Sequence, residues 1–157
     1  MGTIRKILIV CTGNSCRSPM AEGFLKKYLK PEDGFEIMSA GISAVEGLNP
    51  TPEAAGAMKE DGIDISSIFS RPLSALFIKA ADLILVMSQA HRQFILERLP
   101  EAKDKVYLFK EFARTDDTGK EVADPMGQPL LFYKSVKEEI KRASIEIARR
   151  VKENNSD

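Results

Sequence analysis

The chain has no tryptophan, one histidine, only two cysteines and no net charge, its 23 Lys and Arg balancing 23 Asp and Glu. Each scarcity removes a class of function. Balanced charge gives no global field to attract nucleic acid or an anionic membrane, although a local positive site for an anion stays open. A lone histidine and the absence of any Cys/His cluster leave no visible metal site, and no cofactor is expected. Cys11 and Cys16 lie five apart in one segment, so they cannot staple a disulfide framework; in a reducing compartment they read as chemistry. The longest apolar runs, such as Ile7–Val10 and Leu83–Met87, are strand-sized and far short of a membrane span. No basic stretch followed by an apolar segment and a cleavage site appears, so the expectation is a cytoplasmic protein without a membrane partner. No repeat or low-complexity linker divides the 157 residues, which predicts one domain over 1–157.

What is present alternates between two periods. Ile4–Val10 reads as a buried strand ending at Cys11. Ser18 followed by Pro19 signals a helix start, and the helix should run to about Leu29. Phe35–Ala40, Ala81–Met87 and Lys105–Phe109 are further strands. Helices are expected from Thr51 and Pro52 to about Asp61, over Ser70–Lys79, and from Ser88 to about Leu99. Lys110–Gln128 is the longest expected loop, and loops of that length are often functional. Phe132, Val136, Ile140, Ala143, Ile147 and Val151 mark one face of a long C-terminal helix, with a frayed end at Glu153–Asp157. Strands alternating with helices predict an α/β fold, a doubly wound parallel sheet with helices on both faces. Such sheets bind ligands beyond the carboxyl ends of their strands, which is where the segment after the first strand would sit.

That segment carries the chemistry. It reads Cys11, Thr12, Gly13, Asn14, Ser15, Cys16, Arg17, Ser18, Pro19. A loop between a strand and a helix can curl until its backbone N–H groups converge on an anion, helped by the positive end of the helix dipole. Gly13 and Asn14 are the residue types that most easily take the positive φ such a curl needs. Arg17 can close the ring with a planar fork matched to two phosphate oxygens. The same donors favour a thiolate at Cys11. Ser18 can serve that thiolate or cap the helix.

The segment resembles the signature of the low-molecular-weight protein-tyrosine-phosphatase family, and the likeness extends to Ser39, Ala40 and Gly41, to Ala81, Asp82 and Leu83, and to Asp124 and Pro125. The resemblance implies a four-stranded parallel sheet with the phosphate-binding loop after strand 1, no metal, and hydrolysis through a phosphocysteine. It assigns Cys11 as nucleophile, Arg17 as phosphate clamp and Asp124 as general acid, with Thr12, Gly13, Asn14, Ser15, Cys16 and Ser18 completing the phosphate-binding loop. Cys16 corresponds to a second cysteine that can form a reversible disulfide with the nucleophile. The implied partner is a phosphorylated protein or peptide, taken by a monomer.

The chain also departs from the tyrosine-specific pattern. Where aromatic side chains would wall the pocket stand Val45 and Met126, and Ser15 replaces a bulky aliphatic residue. A small hydroxylated residue there resembles the protein-arginine-phosphatase branch. Phosphotyrosine is therefore the expected substrate on family grounds, with phosphoarginine the close alternative. A histidine common near Ser66–Arg71 is missing, with Ile68 or a neighbour in its place, and His91 is expected on a solvated helix surface. Thiol-linked arsenate reduction would need cysteines beyond Cys16, and there are none. A non-catalytic phosphate-binding redox sensor is the remaining rival.

Overall fold

The computed structural model describes residues 1–156. Strands β1 (Lys6–Cys11), β2 (Glu36–Gly41), β3 (Leu83–Val86) and β4 (Val106–Leu108) form one sheet in the order β2-β1-β3-β4, every pair parallel. Helices α1 (Arg17–Tyr28), α2 (Pro52–Lys59), α3 (Ala75–Ala80), α4 (Gln89–Arg98), α5 (Phe109–Ala113) and α6 (Leu130–Ser156) cover both faces. The predicted four-stranded, doubly wound architecture is the one found.

The two-residue period of β1 builds two cores at once. Ile7, Ile9 and Cys11 point into a cluster with Met20 and Phe24 of α1 and Ile140 and Ile147 of α6. Leu8 and Val10 point the other way, against Ile78 of α3 and Ile95 of α4. Because β1 lies between β2 and β3, the chain leaves it in opposite directions. The carboxyl end of β1 is thus the switch in strand order, and Cys11 is its last residue.

Several expected boundaries move. The segment from Ser70 to Leu73 is extended rather than helical, because it is tied beside β2: Gly41 N donates to Arg71 O, Leu73 N donates to Gly41 O, and Pro72 bridges Gly41. Helix α3 begins only at Ala75, with Ser74 Oγ accepting from Phe77 N. Ser18 is not an N-cap; α1 starts two residues before the expected Pro19, at Arg17, with no side chain capping it. Phe132 is partly exposed, and Tyr133 takes the core position instead. Lys110–Gln128 is not all loop, since α5 occupies its start and Arg114 ends that helix at φ 60°. The tail is helical through Ser156 because Asn155 bonds both the N–H and the C=O of Ile4; the last residue of the expected fray, Asp157, lies outside the described residues.

Candidate active site

Cys11 Sγ is buried at the end of β1, where Asn14 N donates to it at 3.2 Å and Ser18 Oγ lies in hydrogen-bond contact at 2.9 Å. Asn14 makes the curl: it holds φ 53°, a left-handed conformation its short polar side chain tolerates. Gly13 does not share that role, as its φ is not positive. Among the described residues, the backbone N–H groups of Gly13, Ser15, Cys16 and Arg17 donate to no protein acceptor, the condition an anion cradle requires. Gly41 lets the cradle sit this close to the sheet. A Cβ there would lie 2.6 Å from Thr12 O and 2.9 Å from Asn14 N, inside contact with the loop backbone.

The side chain of Asn14 stitches the loop to its surroundings. Its Oδ1 accepts from Arg71 N at 3.0 Å, and its Nδ2 donates to Ser18 Oγ at 2.8 Å and Ser39 Oγ at 2.9 Å. No histidine stands near Ser66–Arg71: the contact from that stretch to the Asn14 side chain is the Arg71 backbone N–H, and Ile68 packs in the core.

Arg17 is almost fully buried, and its Nη1 donates to Val122 O at 3.0 Å. Val122 N in turn donates to Met87 O just past β3. These two bonds pin the 119–128 segment over the loop and bring Asp124 to its mouth, with Oδ2 3.6 Å from Arg17 Nη2. Asp124 keeps 53% of its side chain exposed against 7% for Arg17, so the pair contributes little stability and leaves the carboxyl accessible to a ligand. Met126 N donates to Asp124 Oδ1 at 3.1 Å, which orients the carboxyl from its own turn. The predicted nucleophile and clamp, from one loop, and the predicted acid, from a segment remote along the chain, are therefore drawn to one place.

A family model described as Low molecular weight phosphotyrosine protein phosphatase matches residues 6–157. The chain belongs to that family. A protein-arginine-phosphatase from Geobacillus stearothermophilus is 40% identical over 135 residues, which is 86% of this chain and 88% of the relative. A probable low molecular weight protein-tyrosine-phosphatase, EpsP, from Ralstonia nicotianae is 38% identical over 139 residues, 88% of this chain and 90% of its own length. The solved YwlE arginine phosphatase from Geobacillus stearothermophilus superposes with a TM-score of 0.88 at 36% identity, covering 97% of this chain and 96% of that one. Members of this phosphatase family are hydrolases, and the fold and loop position agree with theirs.

Within this family member, one residue near the site lies where its own helix does not suggest. His91 is buried, not solvated. Its Nε2 lies 2.9 Å from Thr12 Oγ1 and its Nδ1 3.0 Å from Ser88 Oγ. Burial pushes the imidazole from 6.5 down to about 4, the Arg17 guanidinium adds to that, and Glu121 and Asp124 oppose it. His91 is therefore neutral at pH 7 and braces the loop from α4. The signal was available: three residues after a capping serine on a helix that follows β3, the first turn faces the neighbouring end of β1.

Cys16 is buried behind the loop, its Sγ 3.5 Å from Thr51 Oγ1 and 3.6 Å from Tyr133 Oη. Burial, then the contact with Cys16, push the Tyr133 phenol up to about 12. Both cysteines are free thiols. Val45 and Met126 are exposed, at 64% and 51%, on the two segments expected to wall the pocket. Among the described residues no helix is long and apolar enough to cross a membrane.

Proposed function

We propose that this family member is a cysteine-dependent protein phosphatase working through a phosphocysteine, with Cys11, Arg17 and Asp124 as its catalytic residues. The observation that carries the reading is the pair of hydrogen bonds at Cys11 Sγ, to Ser18 Oγ and Asn14 N, in a loop whose N–H groups at Gly13, Ser15, Cys16 and Arg17 have no protein acceptor. In the first step Cys11 sulfur attacks phosphorus in line, forming the S–P bond as the leaving group departs with a proton from Asp124. In the second, Asp124 takes a proton from water, whose oxygen attacks phosphorus and frees the thiolate. Loop amides and Arg17 hold the other phosphoryl oxygens throughout, and this positioning and charge stabilisation dominate such transfers. A catalytic thiol suits the reducing cytoplasm, and we take 1–157 as one domain acting as a monomer on phosphorylated protein.

Of the two substrate classes, phosphoarginine now fits better than phosphotyrosine. Neither 42–49 nor 123–128 carries an aromatic residue, so a phenyl ring would find aliphatic Val45 and Met126 and forgo a stacking gain of about 0.5–1.5 kcal/mol per ring. Half-buried Ser15 offers a hydroxyl to a guanidinium where an aliphatic residue could not. The similarity to named arginine phosphatases agrees with this preference. Arsenate reduction by a thiol relay is not favoured, since no cysteine follows Cys16.

Hydrolysis of a phosphoarginyl peptide, a phosphotyrosyl peptide and an aryl phosphate tests both levels. The phosphoarginyl peptide should give the highest kcat/KM. Cys11→Ser should abolish turnover of all three, and Asp124→Asn should slow hydrolysis by about 10²–10⁴-fold. A tyrosine preference would return the substrate to phosphotyrosine. Turnover retained by Cys11→Ser would end the nucleophile assignment.

A further inference from the structure

Glu22 sits in the second turn of α1, buried although it carries a charge. Burying a carboxylate is unfavourable unless its oxygens are paired, and both are. Oε2 accepts from Lys26 Nζ at 2.5 Å and Oε1 from Ser39 Oγ at 2.6 Å. Through Ser39 the carboxylate joins a chain that runs to Asn14, Ser18 and finally Cys11 Sγ.

The direction of each proton in that chain follows from its neighbours. The backbone N–H of Arg71 can only donate, so the Asn14 amide must turn its oxygen there and its NH2 toward Ser18 and Ser39. Ser18 Oγ accepts one amide hydrogen and keeps its own proton for Cys11 Sγ. Ser39 Oγ accepts the other and sends its proton to Glu22, a carboxylate that can only accept. Both ends of the chain are pure acceptors, an oxygen anion at one and, in the reactive form, a sulfur anion at the other.

We propose that Glu22 is a positioning residue for the nucleophile: by drawing the Ser39 proton to itself it locks the Asn14 amide, which aims the Ser18 hydroxyl at Cys11 Sγ. This rests on the reading of Cys11 as the nucleophile. Without the carboxylate, the Ser39 proton turns toward the Asn14 amide oxygen. An amide rotated to receive it presents NH2 to the Arg71 N–H and an oxygen to Ser18, and the Ser18 proton is drawn off the sulfur.

Two conservative variants separate this from a general effect of charge. Glu22→Gln keeps the length and offers an amide oxygen to Ser39, while the half-exposed Lys26 turns to solvent. Glu22→Asp keeps the charge but falls short of Ser39 by one C–C bond, about 1.5 Å. Iodoacetamide alkylation of Cys11 in the full chain, followed by mass spectrometry from pH 6 to pH 10, reads the sulfur without needing a substrate. Glu22→Gln should react at the wild-type rate. Glu22→Asp should react about tenfold more slowly at pH 6, the loss expected for one hydrogen bond to a charged group, and converge with wild type at pH 10, where an ordinary thiol is ionised. A reversed order, with Gln slow and Asp normal, overturns the proposal in favour of a through-space charge effect. An equal loss at both ends of the pH range overturns it in favour of structural damage, and wild-type behaviour in both variants overturns it outright. Unreactive Cys11 in the wild-type chain overturns the nucleophile reading itself, and the comparison with it.

Discussion

Lowering the pH from 7 to 5 should weaken the fold through His91. In the folded chain burial, and then the Arg17 charge, hold the imidazole at about 4, against 6.5 for an ordinary histidine. Between those values the unfolded chain binds a proton that the folded chain refuses, so stability is full above about 6.5 and drains away as pH falls toward 4. Linkage gives a loss of about 2 kcal/mol by pH 5 and about 3 kcal/mol by pH 4, the limit being about 3.4 kcal/mol for a shift of about 2.5 units at 1.36 kcal/mol each. The cost does not come from broken hydrogen bonds, because the Thr12 and Ser88 hydroxyls can rotate to accept from an imidazolium. It comes from desolvating a cation beside Arg17. Urea unfolding at pH 7 and pH 5, in the wild type and in His91→Gln, isolates the effect, since glutamine cannot charge and carboxylate titration is common to both. The wild type should lose about 2 kcal/mol more than the variant over that interval. Parallel losses would show that His91 titrates normally and that its burial does not govern its charge.

Gly41→Ala forces a methyl group onto the backbone of Thr12 and Asn14. Overpacking should cost about 1–3 kcal/mol of stability, while displacement of the loop should lower kcat/KM by about 100-fold; thermal melting and aryl phosphate hydrolysis measure the two, and full activity in a destabilised variant would refute the close approach. Lys137 is buried; burial disfavours its charge, yet hydrogen bonds to Asp61 and Glu138, both at 2.8 Å, outweigh that and raise its pKa. Lys137→Ala leaves the carboxylate of Asp61 with Lys141 alone and should cost about 3 kcal/mol. Removing Asp61 as well should recover much of that loss in a double-mutant cycle, and simple additivity would deny the coupling.

The legible part of this protein was local. Period-two runs and proline or serine helix starts placed the four strands and most helices within a few residues, and Thr51 does cap α2 as its sequence context implied. Errors fell where a distant partner overrides local preference. Ser70–Leu73 is helix-compatible by composition, yet Gly41 recruits it as an extended edge. Ser18 looks like a cap, yet Asn14 and Cys11 claim its hydroxyl. His91 looks solvated on its own helix, yet the neighbouring strand end carries Thr12 to its ring.

Cys11, Arg17 and the loop between them are close in sequence, so residue type and spacing alone pointed to an anion cradle. Asp124 needed tertiary structure to become a candidate acid by geometry, because the bonds that hold its segment, Arg17 to Val122 and Val122 to Met87, join residues remote along the chain. The proton order from Glu22 to Cys11 is of the same kind. Hydrogen-bond direction belongs to the whole set of partners at once, and a linear string of residue types does not contain it.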